Sequence, residues 1–308
     1  MQVVHGHTHV PVNARGAVVA IGNFDGVHRG HRALIAEAVR KAKELERASG
    51  VMIFEPHPRE FFHPAEPLFR LTPLKRKLSL LEKLGLKLAF VETFDQHFAS
   101  LSARDFIERV LVAGLGIAHV IVGYDFYFGH KRSGNPQMLA EAGKELGFGV
   151  TIMSPVAEAG EVFSSSAARV YLAQGDVRGA TQVLGEAWRV QGKIVGGAHR
   201  GTGLGYPTAN IPMPVGTALA HGIYAVRAHV DGKMHSAAAY FGTRPTFDNG
   251  MPILEIFLID FKGDLYGHEM DVEFVDFIRG DRKFHSEDEL IAQMDDDVAK
   301  IRAVLATA

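Results

Sequence analysis

Val18-Val19-Ala20-Ile21-Gly22-Asn23-Phe24-Asp25-Gly26-Val27-His28-Arg29-Gly30-His31 is the stretch on which the reading of this chain turns. An apolar run ends at Gly22, as a buried strand would. A glycine-broken turn follows, and two histidines three residues apart stand where a helix begins. Glycine lets a backbone approach a ligand closely. A helix N-terminus offers unpaired N–H groups and the positive end of the dipole, which suits phosphate. The i, i+3 spacing lets His28 and His31 point the same way on the first turn. The stretch reads as a nucleotide phosphate site built from Gly22, Asn23, Phe24, His28, Gly30 and His31. The plain alternative is a tight strand-to-helix turn with two surface histidines.

Working outward, Leu34, Ile35, Ala38, Val39, Ala42 and Leu45 keep a helical period, so a helix is expected over 30–47, ended by Ser49-Gly50. A second buried strand at 51–54 runs into Glu55-Pro56-His57-Pro58, where two prolines forbid regular structure. Phe61, Phe62 and Phe69 follow in a proline-studded loop. Thr72-Pro73 is expected to cap the next helix, with Leu74, Leu78 and Leu81 inward and Gly85 as its stop. Strands are expected at 88–91, 119–122 and 150–153, and helices after Ser102 and over 136–146. The strand at 119–122 ends in Gly123-Tyr124-Asp125-Phe126-Tyr127-Phe128-Gly129-His130.

Strands alternating with helices imply right-handed crossovers and a mainly parallel sheet. Ligands of such sheets sit at the carboxyl ends of the strands. The opening stretch, the Glu55 segment and the Gly123 segment, with Asp125, should therefore share one edge. Ser164-Ser165-Ser166-Ala167-Ala168-Arg169 opens another helix and could complete the site. Ser164 and Ser165 bring hydroxyls and N–H groups, and Arg169 brings a fork for phosphate. An ordinary helix cap explains the serines equally.

Composition sets the outer bounds. At 308 residues the chain has room for two domains. A hydrophobic share of 47% and a charged share of 22% are those of a soluble globular protein. With 33 basic and 35 acidic residues there is no support for broad nucleic-acid or membrane-surface binding. The absence of cysteine excludes disulfides, thiolate metal sites and a cysteine nucleophile. The first thirteen residues lack the apolar core of a signal peptide, and no apolar run approaches the ~20 residues that span a bilayer. A cytoplasmic location is the expectation. His5-Gly6-His7-Thr8-His9 alternates histidines as some metal sites do, but the partner motifs are not apparent, so residues 1–15 read as an N-terminal arm.

After about Leu184 the pattern changes to short strands and turns. Residues 225–230 and 234–241 flank Asp231-Gly232 as a hairpin with a two-residue turn. Further strands are expected at 254–259 and 270–278, parted by Lys262-Gly263-Asp264. A closed antiparallel barrel would hide their edges. Ser286-Glu287-Asp288-Glu289 has the form of a capping box before a long terminal helix. The expected domains are 1–184 and 185–308.

Arg200-Gly201-Thr202-Gly203-Leu204-Gly205-Tyr206-Pro207-Thr208-Ala209-Asn210 is the densest feature of the second half. Gly201, Gly203 and Gly205, with Leu204 and Pro207, suit a loop that wraps a polyphosphate through backbone N–H groups. It lacks the ending of a P-loop. Thr208 and Asn210 are neutral oxygen donors that could hold Mg²⁺, or could equally make turn hydrogen bonds. Glu255 is the one charge within Pro252-Ile253-Leu254-Glu255-Ile256-Phe257-Leu258-Ile259. A carboxylate at the edge of an apolar cleft can have its pKa raised toward that of a useful base. An exposed strand glutamate is the alternative.

Taken together, these motifs resemble the bacterial bifunctional riboflavin kinase/FAD synthetase (FMN adenylyltransferase) family over nearly the whole chain. In the first half the resemblance rests on residues 22–31, Glu55-Pro56-His57-Pro58, the Gly123 segment and residues 164–169. In the second it rests on Leu204 to Asn210, Gly222-Ile223-Tyr224, Gly242-Thr243-Arg244-Pro245-Thr246-Phe247 and Asp264-Leu265-Tyr266-Gly267. The His-x-Gly-His element alone marks nucleotidylyltransferases in general; its combination with Pro-Thr-Ala-Asn is specific.

The resemblance implies an α/β Rossmann-like nucleotidyltransferase domain with a mainly parallel sheet, followed by a mainly-β riboflavin-kinase barrel with a C-terminal helix. It implies that the barrel phosphorylates riboflavin to FMN with ATP. Thr208 and Asn210 would serve Mg²⁺-ATP, residues 201–205 would cover the phosphates, and Glu255 would take the hydroxyl proton. It implies that the first domain adenylylates FMN to FAD with release of pyrophosphate. There His28 and His31 would stabilise charge, while Asp125, Ser164, Ser165 and Arg169 hold nucleotide and phosphates. Small molecules are then the expected partners, with neither nucleic acid nor membrane, and self-association is compatible with the chain.

Three positions depart from the family pattern. Ala168 stands where isoleucine is common, Tyr127 where arginine is frequent, and Arg244 where asparagine is common. Other readings are a nucleotidylyltransferase for a different phosphorylated substrate, and a flavin-storage protein. The Pro-Thr-Ala-Asn set opposes the first, and retention of both histidines, Thr208, Asn210 and Glu255 opposes the second.

Overall fold

The computed structural model describes residues 1–158, 160–196, 206–243, 251–263 and 265–308. Two compact units make up the chain, Met1–Ser165 and Ser166–Ala308.

The first unit is a six-stranded, wholly parallel sheet: β1 (Gln2–His5), β2 (Val18–Ile21), β3 (Ser49–Glu55), β4 (Leu88–Thr93), β5 (His119–Gly123) and β6 (Gly149–Met153). Their spatial order is β1-β4-β3-β2-β5-β6. Successive residues of β2 serve opposite faces. Val18 and Ala20 pack with Ile35 and Ala38 of α1 (Arg29–Glu44) and with Leu80 and Leu81 of α3 (Leu74–Lys83). Val19 and Ile21 pack with Phe106, Ile107 and Val110 on the other side. Burial on both faces is why the strands read as apolar runs rather than as alternating ones. The order reverses between β2 and β5. Their following loops diverge there and open a crevice at the carboxyl edge.

Three sequence expectations are corrected here. The N-terminal arm is in part a strand: Gln2 to His5 pair parallel to Leu88 to Val91, with Val4 buried. A four-residue edge strand carries too little periodicity to announce itself. Helix α1 ends at Glu44, leaving Leu45 40% exposed, and Ser49-Gly50 opens β3 instead of closing the helix. A Cβ on Gly50 would lie 3.1 Å from Leu88 Cβ, so close strand approach explains that glycine. Thr72 does not cap α3; Pro73 holds that position, and the Thr72 hydroxyl accepts from Gly26 N–H in the turn after β2. Ser102 does cap, accepting from the Asp105 N–H ahead of α5 (Ala103–Asp105) and the π-helical Phe106–Leu115. The expected helix over 136–146 is present as Pro136–Leu146.

The boundary falls at the first residue of helix Ser165–Ala173, whose remainder opens the second unit, followed by helix Val177–Leu184. Six antiparallel strands follow: β9 (Arg189–Lys193), β10 (Ala209–Pro212), β11 (Gly222–Val230), β12 (Lys233–Thr243), β13 (Pro252–Leu258) and β14 (Glu269–Arg279). The short hairpin Ala157–Glu158 with Glu161–Val162 supplies β7 and β8 ahead of them. Their order is β10-β13-β12-β11-β14-β9, and a bridge between Val195 and Asn210 joins the two ends, as a barrel requires. The expected hairpin turn is present: Asp231 and Gly232 have φ of 49° and 74°, the signs a tight primed turn demands. Tyr224, Val226, Phe241, Leu254, Ile256 and Phe274 fill the interior. The terminal helix Glu287–Thr307 is capped by Ser286, which accepts from the Glu289 N–H. It lays Val298, Ile301 and Leu305 against Ile223, Ala225 and Phe257.

Candidate functional site

The loop leaving β2 is held in a conformation that most residues avoid. Phe24, Gly26 and Val27 have φ of 48°, 79° and 43°. Left-handed backbone is costly for a β-branched residue, and persists only when the surroundings over-determine it. Here they do. Phe24 and Val27 are fully buried. The Asp25 carboxylate accepts from the N–H groups of Leu71 (3.2 Å) and Thr72 (3.0 Å), and the Thr72 hydroxyl accepts from Gly26 N–H. Ser165 Oγ donates to the Asp25 carbonyl at 2.8 Å, and Lys77 Nζ donates to the Asn23 carbonyl at 2.8 Å.

The turn delivers the chain into α1 with His28 as its N-cap. His31 N–H donates to His28 Nδ1 at 3.3 Å, and the two rings stack with centroids 3.6 Å apart. Accepting at Nδ1 places the neutral proton of His28 on Nε2. Burial pushes His28 down to about 4. Burial, then His28 and Lys77, hold His31 well below the usual histidine range. Both imidazoles are thus neutral donors near pH 7. His31 Nδ1 and Asn23 Oδ1 are enclosed and have no hydrogen-bond partner. A Cβ on Gly30 would come within 3.1 Å of the His28 ring and of the Phe163 carbonyl, so that position admits only glycine without movement.

Two neighbouring segments complete the edge. After β3, His57 caps α2 (Pro58–Phe62), accepting from Arg59 N–H at 3.1 Å, and burial pushes it to about 4 against the pull of Asp25. Arg70 bridges Glu55 (2.7 Å) and Glu60 (2.6 Å), tying α2 to β3. Phe61, Phe62 and Phe94 meet edge to face, with Phe62 58% exposed, an aromatic shelf for a flat ring. After β5, Asp125 is exposed, and the Arg132 guanidinium lies 4.8 Å over the Tyr127 ring. Tyr127, one of the departures, thus stands beside a cation drawn from five residues along the chain.

The structure gathers Gly22, Asn23, Phe24, His28, Gly30, His31 and Ser165 around one turn. Ser164 is half-buried beside Ser165, and Arg169 lies in the second unit on Ser165–Ala173. Ala168 is fully buried there. Within the N-terminal histidine segment, His7 Nδ1 pairs with Glu92 Oε1 at 2.9 Å. Among the described residues no cluster of three His, Asp or Glu side chains could hold a metal ion.

In the second unit, Asn210 on β10 stands opposite Glu255 on β13, and Glu255 opposite Tyr240 on β12. A cavity of about 630 Å³ lies beside them, between these strands and the terminal helix. Thr208, Tyr240 and Glu255 line one side, Phe257, Leu290 and Met294 the apolar floor, and Arg279, Arg282 and Lys283 the cationic rim. Glu255 and Phe257 face the cavity together, as strand alternation requires. Ile253 is buried. Asn210 is 2% exposed, and its Oδ1 has no partner. Asn210 Nδ2 donates to the Thr208 main-chain carbonyl at 3.5 Å, and a neutral amide oxygen and a hydroxyl two residues apart are ligand types that a hard divalent cation takes. Pro207 is exposed at the head of this strand, while Gly201, Gly203, Leu204, Gly205 and Arg244 lie outside the described residues. Tyr206 donates to Asp295 of the terminal helix, and burial followed by Asp295 raises its phenol to about 12. Asp297 holds Arg279 at the rim through bonds of 2.8 and 3.0 Å.

Sequence reading missed Asp25, Thr72 and Lys77 as supports of the first turn, and Tyr240 and Arg279 in the second cavity. Lys77 is one of three lysines within Leu74–Lys83, and nothing local separates it from Lys75 or Lys83.

Comparison with known proteins agrees with this division. A family model described as FAD synthetase matches residues 10–167, and one described as riboflavin kinase matches 184–305. A bifunctional riboflavin kinase/FMN adenylyltransferase of Pseudomonas fluorescens is 39% identical over 99% of this chain and 98% of its own. Its counterpart in Escherichia coli K12 is 38% identical over 96% and 95%, and that of Bacillus subtilis 33% over 96% and 95%. A solved Streptococcus pneumoniae structure, described as a macrolide-efflux protein, is 27% identical with a TM-score of 0.85, covering 97% of this chain and 98% of that one. Among the described residues of this chain, no helix is long and apolar enough to cross a membrane.

Proposed function

The chain belongs to the family of bifunctional riboflavin kinase/FMN adenylyltransferases, and from that premise we propose which of its residues carry the two reactions. The enzyme moves the γ-phosphoryl of ATP to riboflavin, giving FMN, and joins FMN to the AMP part of a second ATP, giving FAD and pyrophosphate. Residues 1–184 perform the adenylyl transfer and residues 185–308 the phosphorylation.

In adenylyl transfer an FMN phosphate oxygen attacks the α-phosphorus of ATP, and pyrophosphate departs with the bonding electrons. No protein nucleophile is needed, so the work is positioning and charge stabilisation. The stacked neutral pair His28–His31 at the head of α1 is the observation that carries this assignment. Their N–H groups and the first amides of α1 donate to the phosphate oxygens. The Phe61–Phe62–Phe94 shelf receives the flavin ring, and Asp125, Ser164, Ser165 and Arg169 hold nucleotide and phosphates.

In the kinase reaction, Glu255 takes the proton of the riboflavin 5′-hydroxyl as its oxygen attacks the γ-phosphorus. The apolar floor and cationic rim of the cavity beside Glu255 suit a planar ring with a polar tail. Thr208 and Asn210 would hold Mg²⁺, with the unpartnered Asn210 Oδ1 supporting that role. Held there, such an ion would supply positive charge to offset that of the phosphates. Gly201, Gly203, Leu204, Gly205 and Pro207 cover the nucleotide. A cytoplasmic setting supplies the ATP both steps consume.

Purified protein incubated with riboflavin, ATP and Mg²⁺ tests the whole reading. Chromatography should resolve both FMN and FAD. FMN alone would remove the adenylyl-transfer assignment, and flavin held but unconverted would leave a binding protein.

A further inference from the structure

Two neutral imidazoles give the adenylyl-transfer site donors but no charge. The reacting groups there, a triphosphate and a phosphate monoester, carry several negative charges. Lys77 is the one fully buried lysine or arginine among the described residues, and the motif reading did not include it. Its side chain is 3% exposed. It leaves α3, donates to the Asn23 carbonyl at 2.8 Å and stands 4.0 Å from Glu55 Oε1. Burying an ammonium is costly unless it is compensated, so its place needs a reason. Burial holds its pKa below the usual lysine value, with Arg70 adding to that and Asp25, Glu55 and Glu60 opposing it. Its charge is felt by His31 and by His57, and lowers both.

We propose that Lys77 is a positioning residue of adenylyl transfer: its ammonium grips the carbonyl of Asn23, fixes the left-handed turn that aims His31, and supplies the fixed positive charge beneath the phosphates. The proposal rests on the assignment of the Gly22–His31 turn as the adenylyl-transfer site. Lys77 is engaged by the main-chain carbonyl of Asn23, and Asn23 Oδ1 and His31 Nδ1 beside it are without partners. It also adds to the neutrality of His31, which burial chiefly sets and to which His28 and then Lys77 contribute.

Lys77→Gln retains a donor but no charge; Lys77→Arg retains charge. In the full chain, Lys77→Gln should lower kcat for FAD formation from supplied FMN by about tenfold or more, with KM for ATP changed less, because preorganised charge acts mainly on the transition state. Loss of the cation lets His31 protonate more easily, so the acid limb of the FAD-forming pH profile should move to higher pH. Lys77→Arg should keep the wild-type limb and recover part of the rate. Wild-type-like circular dichroism, thermal melting and resistance to limited proteolysis in the same preparation check that the first unit is folded. Wild-type kcat and an unmoved limb in Lys77→Gln, beside a crippled His31→Ala, would overturn the role of Lys77 alone. Unimpaired FAD formation in both variants would overturn the site itself. Should Lys77→Gln fail to fold, the limb and rate of Lys77→Arg decide: a shifted limb with its charge retained overturns the proposal.

Discussion

In the first unit the groups proposed to meet phosphate are set by backbone. Phe24 and Val27 sit at φ of 48° and 43°, and supports from Asp25, Thr72, Lys77 and Ser165 hold them there. In the second unit the reactive groups hang from regular strands. Asn210 and Glu255 are cross-strand neighbours in an unbroken ladder, and the cavity beside them is closed by a helix from the chain's far end. The difference follows from the chemistry. Adenylyl transfer asks for many donors converging on one point, which a strained turn and a helix N-terminus supply. Phosphorylation of a hydroxyl asks for a base at a set distance from a nucleotide, which two paired strands supply.

Substitutions can break that comparison at each end. The largest effect is expected for Glu255→Gln. It should slow FMN formation by about 10²–10⁴-fold, the usual worth of a general base, and leave FAD formation from supplied FMN intact. The reverse is expected of His31→Ala, with FAD formation reduced by about 10²-fold as for the loss of one oxyanion donor, and riboflavin phosphorylation unchanged. Separate rate measurements on each substrate decide both, and loss of both reactions in a folded variant would refute the two-site arrangement.

A pH effect of intermediate size should belong to the first site. Folded His28 titrates at about 4 where the unfolded chain titrates near 6.5. Above pH 6.5 both states are neutral there and the shift costs nothing. As pH falls from 6.5 toward 4 the unfolded chain takes up a proton that the folded one refuses, so stability declines, by up to about 3 kcal/mol. Thermal melting across that range should show the decline, and His28→Asn should make it shallower by the share of His28, leaving that of His31 and His57, which burial also holds low. The smallest change expected is in Phe62→Ala: a rise of about fivefold in KM for FMN in adenylyl transfer, from loss of roughly 1 kcal/mol of ring contact, with kcat and the kinase reaction unmoved.

Much of both sites could be read from order along the chain. The strand, the glycines and the paired histidines of residues 18–31 are local, and so are Thr208, Asn210 and the lone charge of β13. Helix ends were less legible: Thr72 has the sequence of a cap, yet its hydroxyl turns to Gly26, 46 residues away. Lys77 reaches Asn23 across 54 residues. Such bonds leave no periodic mark. The strand β1 was read as an arm because an edge strand of four residues needs only one buried side chain, Val4.

Hydrophobic period, turn chemistry and the residue types at strand ends settled the two-part architecture and the reactions, because each acts within a few residues. Long-range packing settled which groups are charged and where they aim. A histidine's proton depends on how much water its neighbours exclude, and a lysine's worth on which carbonyl it meets. In Val18 to His31 the residues specify the turn proposed to take phosphate; burial makes its histidines neutral, and bonds with Leu71, Thr72 and Lys77 hold its shape.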